Sequence, residues 1–418
     1  MAQFFGMRFL LSILMALCWM GCGKGDDAPE VSHQRPNPDS QNARPPSQPM
    51  TAIQSTDSFA LSQNVVSAWT EKGFSPGWVD IKTGQFFKNK PDASSMSILP
   101  ALRSNRISPG VLKSLPTPRK GFALFVKGEF SEEGLKELEH LKTIKWLYLM
   151  ASFPNESLKN LSVLNKLTTL KIHDGGGQIT DAGLEELAKL KQLESLGLQG
   201  VNITQAGVAT LAEMDNLHSL TLPGSKITDT GLKELGRLNN LKVLELSGSK
   251  ITDAGLGELS GLDKLEYLGL SYTLVTDAGL NELSKFKQLS RLSLPHKITD
   301  SGLVELLPIG KLTELNLVAI NITDVGLKEL AKLIQLRKLN LAGAPKISDA
   351  GMKELAGLEN LVEFRLSGSN ITKAGIRELA KLNALKIIRL HPNNQRLDEK
   401  DVTELKKALP IVKIIWGP

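Results

Sequence analysis

Cysteine is nearly absent from this chain: only Cys18 and Cys22 occur in 418 residues, both near the start. Beyond them no disulfide framework and no thiolate metal site can form. Aromatic residues make up 5% of the chain, which suits many small, similar core layers better than one large core. Charge of a single sign is also scarce. The 50 basic and 44 acidic residues leave a net +6, too thin an excess to indicate a nucleic-acid partner. No apolar run approaches the ~20 residues that a membrane-spanning helix needs. The six histidines (His33, His140, His173, His218, His296 and His391) are scattered, with no two at metal-ligand spacing. A nucleophile elbow, a glycine-rich phosphate loop and a His-Glu-x-x-His run are all missing. The chain is therefore expected to be no enzyme and to carry no cofactor.

What is present begins with an export signal. Arg8 is the one charge before Lys24, and an apolar stretch of twelve residues runs from Phe9 to Met20. That is the length of the apolar region of a secretory signal. Trp19-Met20-Gly21-Cys22 resembles a bacterial lipoprotein processing box, in which a small residue precedes the cysteine to be lipidated. Gly21 fits that pattern, whereas Trp19 and Met20 depart from it; Cys18 follows bulky Leu17 and fits less well. The resemblance implies a lipid on Cys22 and a place at the cell envelope, with simple cleavage and a secreted or periplasmic protein as the alternative. Residues 23–56 are rich in Asp, Pro, Ser, Gln and Asn. Such a composition buries too little surface to offset ordering entropy and reads as a disordered tether.

Self-similarity is the strongest signal. The apolar residue opening an Ile-Thr-Asp-Ala-Gly-Leu block recurs at Ile179, Ile203, Ile227, Ile251, Val275, Ile298, Ile322, Ile347 and Ile371, in steps of 23 to 25 residues. Weaker copies precede it at Ile107, Phe130 and Phe153, and a degenerate one follows at Leu397. In the unit opening at Ile179, Leu184, Leu187, Ala188 and Leu190 recur at helical spacing. Thr180 or Asp181 can cap that helix. Gly183 gives room for a neighbouring turn. Leu193-Glu-Ser-Leu196-Gly-Leu198 then alternates as a short strand does, and Gly200 marks the turn that leaves it. One such unit cannot cover its own apolar face, but a stack of units can.

These repeats resemble the leucine-rich-repeat family, and the Ile-Thr-Asp-x-Gly-Leu-x-x-Leu block resembles its ribonuclease-inhibitor-like and cysteine-containing branches. The cysteine that the second branch carries after the strand is missing here, as is a regular asparagine ladder, so branch-specific functions do not carry over. Repeats of this kind behind a lipoprotein signal resemble exported bacterial proteins of planctomycete type. The resemblance implies an α/β solenoid: a curved parallel inner sheet, outer helices and a cap at each end. The expected division is a signal over 1–22, a tether over 23–56, an N-terminal cap over 57–106, repeats over 107–396 and a C-terminal cap over 397–418. Within the first cap, Leu61, Val65, Val66 and Trp69 suggest a helix, and Gly77 to Phe87 a hairpin. Leu405 to Trp416 reads as a last helix and closing strand.

In this family ligands commonly bind the concave sheet face. The positions flanking the inward leucines give Phe125, Trp146, Tyr148, Met150, Lys171 and His173 near the N-terminus, Tyr267 in the middle, and Arg291, Glu314, Lys338, Arg365 and Arg389 towards the C-terminus. Trp146 and Tyr148 lie two apart on one strand and should point the same way, as exposed interface anchors; the competing reading has residues 57–106 folding over them. The implied function is a non-catalytic scaffold that binds a protein or peptide, touches membrane only through its lipid anchor, binds no nucleic acid and is monomeric. The alternative is a structural, self-associating envelope component.

Overall fold

The computed structural model describes residues 61–91, 97–128, 132–392 and 396–417. Cys22, the signal and the tether lie outside them. The first element, α1 (Gln63–Glu71), places Val65 and Trp69 one helical turn apart on its buried side. Trp69 packs edge-on against Phe74 and Phe122, with ring centroids 4.7 and 6.0 Å away. Its indole N–H donates to the Pro116 carbonyl at 2.9 Å. A buried tryptophan thus has its one polar atom satisfied while covering the start of the stack.

A hairpin follows, β1 (Ser75–Asp80) with β2 (Phe86–Phe87), and then β3 (Ile98–Ser104). The remaining strands are β4 (Phe122–Lys127), β5 (Ile144–Met150), β6 (Thr169–His173), β7 (Ser195–Gln199), β8 (Ser219–Thr221), β9 (Val243–Glu245), β10 (Tyr267–Gly269), β11 (Arg291–Ser293), β12 (Glu314–Asn316), β13 (Lys338–Ala342), β14 (Glu363–Ser367), β15 (Ile387–Leu390) and β16 (Lys413–Trp416). All sixteen form one sheet in the order β16 to β3, then β1 and β2. From β3 onwards every strand pairs in parallel with the next, whereas β1 runs antiparallel to both β2 and β3. The parallel stack therefore starts inside the segment 57–106 that the sequence assigns to a cap, because β3 already has the register of a repeat strand. The hairpin and β16 form where the sequence places them, whereas the last helix, Glu399–Ala408, starts six residues before the Leu405 expected to open it, at the Asp398 cap.

Parallel register puts equivalent leucines on one line. Leu196, Leu220, Leu244, Leu268, Leu292, Leu315 and Leu339 follow one another across β7 to β13, and none is more than 1% exposed. Removing any one empties a closed layer, at a cost of about 2–5 kcal/mol for Leu→Ala. Between strands the chain climbs by a short helix. Some are α-helical, such as Asp229–Leu235 and Asp324–Leu330, but Asp277–Lys285 and Gly302–Leu306 are 3-10 helices. The narrower 3-10 winding rises further per residue and suits a connection of a few residues.

The Thr-Asp-x-Gly block acquires a physical meaning in the stack. Each aspartate reaches the next repeat rather than capping only its own helix. The Asp229 carboxylate accepts from the Thr252 backbone N–H at 2.7 Å and from its hydroxyl at 2.6 Å. Asp253 binds Thr276 in the same way at 2.7 and 2.7 Å, and Asp300 binds Thr323 at 2.8 and 2.6 Å. The carboxylate lies over the glycine of the receiving repeat: a Cβ on Gly255 would run into Asp229 Oδ1. The series explains a row of aspartates that otherwise resembles a set of catalytic acids. Among the nine regular blocks two depart from it. Gln205 stands at the aspartate position before Thr228, and Lys373 at that before the last helix. Lys373 instead contacts Glu404 at 2.6 Å and Asp401 at 3.0 Å on that helix.

Candidate binding face

Side chains on the sheet face opposite the helices form long rows, because equivalent residues of successive strands lie side by side. One row passes through Trp146, Thr169, Ser195, Ser219, Val243, Tyr267, Arg291, Glu314, Lys338 and Glu363. Its neighbour passes through Arg103, Phe125, Tyr148, Lys171, Gly197, Thr221, Glu245, Gly269, Ser293, Asn316, Asn340, Arg365 and Arg389. A third, shorter row holds Lys127, Met150, His173 and Gln199. All twelve face residues chosen from the sequence stand in these rows.

At the N-terminal end the reading of exposed anchors is corrected, and the competing one, with residues 57–106 folded over the aromatics, holds for Trp146 and Phe125. Trp146 is 2% exposed and Phe125 is buried as well, in a small cluster with Val79, Ala101 and Ala123. The hairpin bends over this end of the face. Phe86 meets Phe125 edge-on at 5.5 Å, and Phe125 lies 4.5 Å from the Trp146 ring. Gly84, in the hairpin turn at φ +75°, sits so close that a Cβ there would be 3.0 Å from Lys171 Nζ and 3.4 Å from Trp146. Asp80 holds that turn, accepting from the Lys82 N–H at 3.0 Å and the Thr83 hydroxyl at 3.1 Å. The Trp146 indole N–H is buried without a hydrogen-bond partner. Tyr148, Met150, Lys171 and His173 remain half-buried beside the covered pair. Lys171 reaches over the Trp146 ring at 5.7 Å. Burial, reinforced by Lys127 and opposed by Asp174, lowers the His173 pKa below the ordinary histidine value.

Tyr267 is likewise buried, at 4% exposure. Its hydroxyl donates to Glu245 at 2.6 Å and lies 3.3 Å from the Ser293 hydroxyl. The Arg291 guanidinium covers its ring at 5.2 Å. Glu245 lies along the sheet over Gly269, where a Cβ would collide with it, and also accepts from the Ser247 N–H at 2.7 Å. Burial, then the neighbouring carboxylate, pushes the Tyr267 phenol well above the usual tyrosine range. Glu245 and Ser293 are not among the residues singled out from the sequence. Extending the repeat spacing back from Asn340 and Asn316 reaches their positions, so the signal was there.

Beyond this centre the face ties its own charges together. Lys338 binds Glu314 of the preceding strand at 2.7 Å, and Arg389 binds Glu363 at 2.6 Å. Asn340 donates to Asn316 at 2.8 Å. Arg291, Glu314, Lys338, Arg365 and Arg389 are all half-buried. Among the described residues no group of three His, Cys, Asp or Glu side chains is placed to hold a metal ion, and no helix is long and apolar enough to cross a membrane.

Family comparison agrees with this geometry. Residues 215–275 match a family model described as leucine rich repeat, and residues 335–356 match a second of the same description. No curated protein matches the sequence. Among solved structures, the chain is similar to an internalin (inlF) from Listeria monocytogenes, at 20% identity and TM-score 0.47, over 71% of this chain and 91% of that one. It is also similar to the plant peptide hormone receptor RGFR1 in complex with RGF2, at 14% identity and TM-score 0.37, over 71% of this chain and 55% of the receptor chain.

Proposed function

We propose that the chain, a leucine-rich-repeat protein, is a non-catalytic scaffold that holds a protein or peptide on its concave sheet face. The observation carrying this reading is the sheet itself. Fourteen parallel strands present aligned rows of side chains on a face that no helix among the described residues covers. A continuous, rigid array of this kind suits an extended ligand, whose groups meet successive strands. The proposal extends to location: the signal-like start and Cys22 would tether the scaffold at a bacterial cell envelope by a lipid, as a monomer.

Crosslinking of the full-length protein in its native cells, followed by partner identification, tests the reading. Charge reversal on the concave face, as in Lys338→Glu with Arg365→Glu, is expected to lose the partner. Reversal on the helical face, as in Lys233→Glu with Lys328→Glu, is expected to keep it. The opposite pattern removes the concave face from consideration. Mass spectrometry of the mature N-terminus tests the anchor separately: an unmodified start beyond residue 22 sinks it.

One observation favours the structural alternative. β16 ends the sheet with an unpaired edge, preceded by Ile411 at 82% exposure. Open apolar edges promote pairing between chains. Sedimentation over a concentration series decides: a mass that rises with concentration favours self-association, and a constant monomer mass removes this alternative.

A further inference from the structure

The sheet register lays a trough across the N-terminal end of the concave face. Gly77 of β1 pairs with Ala101 of β3, Ala101 with Ala123 of β4, and Ala123 with Trp146 of β5. Three small residues in one row leave a channel that ends against Trp146, with Phe125 on the row beside it. The chain fills this channel itself. The Phe86 ring reaches back from β2 across β1, where a Cβ on Gly77 would collide with it, and meets Phe125 edge-on. Arg103 lies over the same ring at 5.6 Å. The buried cluster of Val79, Ala101, Ala123, Phe125 and Trp146 is separate from the leucine core, so uncovering it leaves the layers of the stack closed.

The arm that carries Phe86 is lightly held. β1 pairs with β3 at six positions, whereas β2 pairs with β1 at two and, among the described residues, with no other strand. Between β1 and β2, Ile81, Lys82 and Thr83 are exposed, and the turn is closed by the Asp80 carboxylate and by the Gly84 N–H donating to the Asp80 carbonyl at 2.7 Å. Closure leaves one polar group unserved. The Trp146 N–H is buried with no acceptor, and Cζ2, on the same edge of the indole, is the Trp146 atom nearest a Cβ built on Gly84. An unmet buried donor costs free energy that a ligand carbonyl would return.

Resting on the scaffold reading, we infer that β2 and its turn form an autoinhibitory strap, in which Phe86 occupies the slot of an aromatic side chain from an extended segment of a partner protein. The partner's ring enters the trough of Gly77, Ala101 and Ala123 beneath Arg103, and a backbone carbonyl beside that ring accepts from Trp146. Opening breaks the two β2 pairs and the turn, while β1 stays in the sheet through β3. Strap and ligand compete for one slot, so apparent affinity is the intrinsic affinity scaled by the fraction open. A segment without an aromatic at this place does not offset the cost of opening and is rejected.

The test uses the full chain and a pair of fluorescein-labelled peptides of equal length, one alternating Thr and Phe, the other Thr and Ala. In anisotropy titrations Phe86→Ala is expected to bind the Phe peptide about tenfold or more tightly than the wild type does, and neither protein is expected to bind the Ala peptide. In Phe86→Ala the Trp146 indole N–H resonance, assigned as the one missing from Trp146→Phe, should move downfield as the Phe peptide is added. Amide exchange across β3, β4 and β5 should match the wild type. Lost protection there makes Phe86 part of the core rather than a strap and overturns the inference. So does an unchanged affinity for the Phe peptide, or an indole signal that stays in place at saturation. Equal tightening for the Ala peptide assigns the gain to exposed apolar surface in general and overturns it too. None of these outcomes bears on the scaffold reading, which the crosslinking and the charge reversals at Lys338 and Arg365 test separately.

Discussion

At the scale of single residues, position in the stack decides what a side chain does, more than its chemical type. Trp146 has the appearance of an interface anchor in the sequence, because residues two apart on a strand share a face. The sequence leaves open whether residues 57–106 fold over it, and the hairpin some sixty residues earlier does fold across that face. Trp146→Ala is therefore expected to cost about 3–5 kcal/mol of stability, as for an aromatic in a core, measurable as a lower denaturant midpoint. An unchanged midpoint would mean that the hairpin does not rest on it. Tyr267 follows the same logic with a pH signature. Its phenol is held above its ordinary value of 10.0, so the fold favours the neutral form. That contribution is complete below the unfolded pKa and is lost as pH rises from there through the folded pKa. Stability of the wild type should fall above pH ~10, and Tyr267→Phe should remove part of that fall. Absorbance titration of Tyr148, Tyr267 and Tyr272, the three tyrosines of the chain, should show one that ionises only on unfolding.

At the scale of elements, the repeat block was legible, and its inter-repeat partner was not. Periodicity shows that Thr, Asp and Gly recur together. It cannot show that the aspartate of one repeat serves the threonine and covers the glycine of the next, since a fixed spacing is equally satisfied within one unit. Asp229→Ala leaves the Thr252 N–H without its acceptor and should destabilise by about 1–3 kcal/mol. The gap at Gln205 supplies the reverse experiment. Gln205→Asp is expected to complete the link to Thr228 and raise the melting temperature; a decrease would show that the link does not transfer between repeats. The last helix, Glu399–Ala408, is joined to the stack by Lys373 through Asp401 and Glu404. Lys373→Glu should speed amide exchange across 399–408 and leave the central repeats as they were. Uniform acceleration would instead mean that the ion pairs support the whole array. Helix type is a further element-scale feature hidden from the sequence. The blocks opening at Ile251 and Val275 are nearly identical over their first six residues, yet one begins α-helical and the other is 3-10 throughout.

At the scale of the molecule, stability should be close to a sum of repeats and of contacts between nearest neighbours, because each layer touches only the layers beside it. Deleting residues 251–274, one complete unit, joins Lys250 to Val275 and sets Asp229 opposite Thr276, with Gly279 beneath the carboxylate. Every link of the interrupted aspartate series is then remade by an equivalent residue, and β9 meets β11 with Leu244 beside Leu292. The Tyr267 phenol leaves with the deleted unit, so Glu245 gives up that hydrogen bond. Such a protein should keep its far-UV spectrum and the exchange protection of its flanking repeats, with a modestly lower melting temperature. Deleting residues 251–262 instead removes a helix while leaving its strand, so the apolar face of β10 is opened and the staple from Asp229 finds no threonine. That variant should lose protection on both sides of the cut. If the two deletions behave alike, stacking is not the unit of stability here, and a concave face built by register alone would lose its foundation.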